Sequence, residues 1–264
     1  MSSRPLVAAA VLGCIAALAL PSLCNADESF EKGVAVFEKH RDAVVTIRAT
    51  VKIVWSGFGE SDTEEEQMEV TGTVVDGAGL VVTSLMQLDP SAMYQMFAEE
   101  EDGFSVDSQI VGMEILGSDG VGIPAEVVLR DKDLDLAFVR TSEQPDQPMK
   151  AIDLKDSGAA KILEEIVVLD RLPKVLGRAP YAEVQRIGAI MERPRKYYVP
   201  SQVSGDTPML GAPAFNLEGK VLGIELTRSI KPTGDMDWDE NTMLVIVPAE
   251  DIIEAMAQVP KKEA

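Results

Sequence analysis

From Asp42 onward the chain alternates short apolar runs with turn residues, a rhythm of strands rather than helices. AVVTIRATVKIVW (43–55) is dense in Val, Ile and Thr and long enough for a strand. VTGTVVDGAGLVVTS (70–84) reads as two strands joined by Asp76-Gly77-Ala78-Gly79, a hairpin signal. Further strands are predicted at 109–118, 123–131, 134–141, 164–172, 182–193 and 241–251. TPMLGAPAFNLEGKVLGIEL (207–226) adds a shaped loop and a hairpin turning at Asn216-Leu217-Glu218-Gly219, yet the tip of that loop, Met209-Leu210-Gly211, carries no polar side chain. Helical spacing is confined to three places. Phe30, Val34 and Phe37 predict a helix over 28–40, and Ile252, Ile253 and Met256 a closing one. DPSAMYQMFAEEEDG (89–103) predicts a surface helix, with Pro90 in its first turn and Met93, Met96 and Phe97 as its packing face. The acidic run GFGESDTEEEQME (57–69) is read as a solvated loop. Many short strands and few helices predict an all-β chain, a pair of barrels or a sandwich.

The first 26 residues follow a different logic. Arg4 supplies a positive start, Leu6 to Leu20 is almost wholly apolar, Pro21 breaks the run, and small residues precede Asp27. This is the layout of a secretory leader, and a run of fifteen is short for a membrane span. An exported protein, periplasmic or extracellular, is expected, with no membrane span after leader removal. Both cysteines, Cys14 and Cys24, fall inside the leader, so the mature chain relies on its apolar core. The remainder divides into a helical segment (27–41), a first barrel (42–141), a Pro-rich polar linker (142–150), a second barrel with its closing helix (151–258) and a tail (259–264). With 44 acidic against 24 basic residues, the surface repels phosphate backbones, so no nucleic-acid partner is expected.

Three blocks, taken together, resemble the trypsin-like serine proteases, specifically the HtrA/Do-like branch. They are VTGTVVDGAGLVVTSLMQL (70–88), DKDLDLAFV (131–139) and PMLGAPAFNLEGKVLGI (208–224). VIVPAEDI (245–252) is similar to the segment that closes the protease domain of that family, and the resemblance extends from about Asp42 to Ile253. It implies two six-stranded antiparallel β-barrels with short flanking helices. It also implies that Asp135 stands at the triad aspartate, while Met86 stands where the histidine belongs and Leu210 where the nucleophilic serine belongs. The match to one oxyanion donor is Pro208, which has no N–H. A thioether does not accept a proton near neutral pH, and an isobutyl group cannot attack a carbonyl. The resemblance therefore implies a protease fold without peptidase chemistry, acting on a peptide or protein partner by binding; a scaffold role is the alternative within that reading.

Asp135 has a plainer reading too, as a turn residue satisfying local backbone donors, with Asp131 and Asp133 as turn or surface residues. The competing enzyme reading is a serine-type hydrolase with a relocated nucleophile at Ser204, Thr207 or Ser84. The sole histidine, His40, precedes the first strand and is expected at the surface. Asp235, Asp237 and Asp239 alternate like the opening of a calcium loop, but Glu240 and Ile246 occupy its required Gly and Glu positions, so no metal is expected there. RPRKYYVP (193–200) is read as a hairpin tip and GSDGVGIP (117–124) as a turn, and no cofactor is expected.

Overall fold

The computed structural model describes residues 24–57, 60–89, 91, 105–117, 120–201, 208–229 and 242–262. The strands β1 (Val44–Gly57), β2 (Glu60–Asp76), β3 (Leu80–Ser84), β4 (Ser105–Leu116), β5 (Gly122–Asp131) and β6 (Leu136–Thr141) close into a barrel in the order β1-β2-β3-β6-β5-β4. A second barrel is built from β7 (Glu165–Arg171), β8 (Pro180–Met191), β9 (Tyr197–Pro200), β10 (Pro213–Asn216), β11 (Val221–Ser229) and β12 (Thr242–Pro248), ordered β10-β11-β12-β9-β8-β7. All pairings between these strands are antiparallel, as expected for two six-stranded barrels. The flanking helices are α1 (Cys24–His40), α2 (Leu85–Leu88) and α3 (Ala249–Met256).

Local chemistry explains the turns. In the β2–β3 hairpin the Asp76 carboxylate accepts from the Ala78 N–H at 2.8 Å, and Gly79 takes a φ of +96° that a side chain would resist. The connection between the barrels is less free than its polar composition suggests. Met149 N–H donates to the Gly77 carbonyl and Ile152 N–H to the Val74 carbonyl, so this segment lies against the first barrel before entering the second.

Three expectations change. The acidic run is not a loop: it forms much of β2, paired residue for residue with β1 as far as Gly57 opposite Glu60. The strand is carried by its partner, since β1 buries Val51 and Ile53 while Glu64, Glu65 and Glu66 remain exposed. Strand β4 starts at Ser105, earlier than the apolar pattern indicated, because its first residues complete the far end of the β1 ladder. His40, expected on the surface, is half-buried and stacks on Phe215 with ring centroids 4.5 Å apart. Its Nε2 is buried without a hydrogen-bond partner, and burial, then the charge of Lys39, lowers its pKa. The reason is that α1 packs Val36 into the core and its last turn lands on β10. Of the helix predicted over 89–103 only Asp89 and Ser91 are described, and most of the leader lies outside the described residues; the last three leader residues open α1.

One apolar cluster fills the first barrel around Ile47, Ile115 and Val139, and another fills the second around Ile166, Leu222 and Ile246. The third and largest joins them: Val82 and Phe138 from the first barrel, Leu169 and Phe215 from the second, and Ile252 of α3. Phe215 is fully buried there. Phe215→Ala is expected to lower stability by about 3–5 kcal/mol through lost burial and a cavity. Urea unfolding measures this as a drop in midpoint, and a drop worth under about 1 kcal/mol would mean the shared cluster does not hold the barrels.

Candidate functional site

The site is built around one carboxylate. Asp131 ends β5, and its Oδ1 accepts from the backbone N–H of Asp133 at 3.0 Å and of Leu134 at 3.1 Å. That turn delivers Asp135 just before β6 in the left-handed region, φ 56°, which Asp tolerates better than most residues. Asp135 is buried, and four donors converge on it. Oδ1 accepts from the Met86 N–H at 2.7 Å. Oδ2 accepts from Ser84 Oγ at 2.8 Å, Thr227 Oγ1 at 2.8 Å and Thr227 N–H at 3.1 Å. The expectation of local backbone donors for Asp135 is thus corrected. Asp131 takes the local N–H groups, and Asp135 reaches β3, α2 and, across the seam, β11. Burial raises its pKa, opposed first by the Thr227 and Met86 N–H groups and then by the two hydroxyls.

Met86 stands beside this network, its Sδ 3.9 Å from Thr227 Oγ1. Leu210 lies on a loop of the second barrel, buried like its neighbour Met209, whereas Pro208 is exposed. The loop is pinned by its backbone: Gly211 N–H donates to the Glu225 carbonyl at 2.7 Å, and Thr73 Oγ1 donates to the Gly211 carbonyl at 2.8 Å. Gly211 has φ +86°, and a Cβ there would lie 2.2 Å from the Thr71 carbonyl oxygen. The loop is therefore pressed onto β2, near Thr83, the residue before Ser84. Met86 and Asp135 sit side by side, Leu210 belongs to the loop closing on the same seam, and His40 packs on Phe215 instead. Ser84 is fully buried, caps α2 by accepting from the Gln87 N–H, and donates to Asp135. Ser204, Thr207 and the aspartates at 235, 237 and 239 lie outside the described residues. Among the described residues no group of three His, Cys, Asp or Glu is placed to hold a metal, and no helix is long and apolar enough to cross a membrane.

A sequence-family profile described as a trypsin-like peptidase domain matches residues 70–224, well over half of the chain. The chain belongs to the trypsin-like peptidase domain family. Among solved structures, the protease domain of MamO from Magnetospirillum magneticum, in its apo form, is similar in fold, with a TM-score of 0.51 and 15% identity. That likeness covers 83% of this chain and 97% of the MamO chain. No curated protein matches the chain in sequence.

This trypsin-like domain also holds a carboxyl that pattern reading missed. Glu225 of β11 is fully buried, and neither oxygen has a well-formed hydrogen bond. The Gln185 side chain and the Met209 N–H lie close enough only to oppose the effect of burial, which, with the charges of Glu183 and Asp170, pushes its pKa up to about 8. Gln185 Oε1 is likewise buried without a donor, and a neutral Glu225 has an O–H to offer it. The signal was available: VLGIEL has one acid inside an apolar run. Because the folded pKa lies above the ordinary 4.5, the folded chain keeps a proton that the unfolded chain releases. The stability this gives is fully present below about pH 4.5 and is lost as pH rises through about 8. Burial raises the pKa of Asp135 and Asp170 in the same direction. Melting temperature should fall between about pH 5 and pH 8, and Glu225→Gln, which cannot ionise, should flatten that fall. Identical pH slopes for the two proteins would contradict this assignment.

Proposed function

We propose that this trypsin-like domain is an exported, catalytically inactive relative of the HtrA/Do-like proteases that works by holding a peptide or protein partner. The observation that carries the reading is the chemistry gathered at Asp135. Its carboxylate is saturated by Ser84, Met86 N–H and Thr227, and the group beside it is a thioether rather than an imidazole. By resemblance, Met86 occupies the histidine position, Leu210 the serine position and Pro208 an oxyanion-donor position. Acyl transfer needs an attacking oxygen, a base to take its proton, and donors for the oxyanion. Loss of nucleophile or base alone costs about 10⁶-fold in related chemistry. Binding asks for none of these groups: an extended peptide adds to a strand edge through main-chain hydrogen bonds. The leader-like segment over 1–26 supports export.

The purified protein is expected to leave casein intact, to resist labelling by a fluorophosphonate, and to bind a fluorescent extended peptide saturably. Labelling that disappears in Ser204→Ala would establish a relocated nucleophile and sink this reading. Absence of any saturable peptide or protein binding would remove the holding role.

A further inference from the structure

The most unusual charge in this acidic chain lies away from Asp135. A cleft of about 450 Å³ opens between β2 of the first barrel and the chain leaving β7 of the second, lined in part by Thr46, Gln67, Glu69, Arg171 and Lys174. Arg171 is half-buried, and its guanidinium faces backbone only: Nε donates to the Val44 carbonyl at 2.8 Å, Nη2 to the Arg41 carbonyl at 3.1 Å and Nη1 to the Arg178 carbonyl at 3.4 Å. A guanidinium has five N–H donors, so among the described residues one on each Nη has no partner. Burial lowers its pKa, opposed first by the charge of Asp42 and reinforced by that of Arg41. Among the described residues neither Arg171 nor Lys174 has an ion pair.

The acid on the cleft wall is hydrogen-bonded elsewhere, although Lys174 lies near enough for its charge to help lower the pKa of Glu69. Glu69 is engaged by Arg178, which donates from Nε to Oε2 at 2.9 Å and from Nη2 to Oε1 at 2.5 Å. Arg48 is paired with Glu114. Asp170, next to Arg171, accepts from the Thr71 hydroxyl and the Arg171 N–H, and burial raises its pKa. Both cations that line the cleft are therefore without a direct ion pair among the described residues, on a protein of net charge −20. A partly desolvated cation held only by backbone carbonyls is costly, and an anion with two oxygens at the right spacing lowers that cost through paired, charge-assisted hydrogen bonds.

We propose that the cleft binds a compact oxyanion, a carboxylate or a phosphate group, between Arg171 and Lys174. Its volume admits an acidic side chain of a peptide as readily as free phosphate. The proposal is separate from the inactive-protease reading and stands or falls without it.

Calorimetric titration tests it with three probes at low ionic strength: inorganic phosphate, an end-blocked extended peptide containing glutamates, and the same peptide with glutamines. Lys174→Glu is the variant of choice, because Lys174 is exposed whereas Arg171 also ties down two carbonyls of the α1–β1 junction. Binding of phosphate, of the glutamate peptide, or of both is expected, weakened about tenfold by Lys174→Glu and by added salt. A gain of glutamate over glutamine peptide names a peptide carboxylate as the ligand; binding of phosphate without that gain names the free anion. Absence of any phosphate binding together with equal affinity for the two peptides, or anion binding indifferent to Lys174→Glu, overturns the proposal. Equal peptide affinities would leave the holding role intact, and phosphate binding with no peptide binding would do the reverse.

Discussion

The seam between the barrels depends on the hydrogen bonds that converge on Asp135. Two of its donors belong to the first barrel, at Ser84 and Met86, and two to Thr227 of the second. Hydrogen bonds to a charged group contribute about 1.5–3 kcal/mol each, and a buried carboxylate without them would be untenable. The left-handed backbone at Asp135 persists because Asp131 fixes the turn before it and these donors fix the carboxylate after it. Once this link is in place, Thr227 holds the later half of β11, and the middle of the same strand anchors the Met209–Gly211 loop through the Gly211 N–H and the Glu225 carbonyl.

That arrangement accounts for a shaped loop with nothing reactive on it. The loop is held by its backbone against β2, through a glycine that no other residue can replace without meeting the Thr71 carbonyl. Its side chains are free to be apolar, and Met209 and Leu210 are buried. In the proposed role the carboxylate is a structural pin whose hydrogen-bonding capacity is spent on holding the barrels. An active site would instead need that group to orient a proton acceptor. Glu225, two residues before Thr227 and kept neutral by burial, makes the same region lose stability as pH rises through neutrality rather than as it falls.

The barrels were legible because most strands bury alternate or continuous apolar runs, and the turns at 76–79 and 216–219 carry the residues such turns require. Where one strand is supported by its neighbour the signal fails: β2 passes through a run of exposed acids, and composition alone reads them as a loop. Met86, Asp135 and Leu210 could be nominated from motif order, but the partners of Asp135 could not, since Ser84 and Thr227 are ordinary hydroxyl residues far apart in the chain. Glu225 was visible as an acid in an apolar run. Arg171 gave no such sign, because its distinction is a guanidinium held by backbone carbonyls distant in sequence, which no spacing along the chain records.

In the proposed role Asp135 serves cohesion rather than catalysis. Parallel urea unfolding and casein turnover of Asp135→Asn tests it most directly, since asparagine tolerates the left-handed backbone but loses the charge and presents an NH₂ to groups that donate. A stability loss of about 2–4 kcal/mol is expected, with casein untouched by parent and variant alike. Unchanged stability, together with a parent turnover that the substitution abolishes, would contradict it.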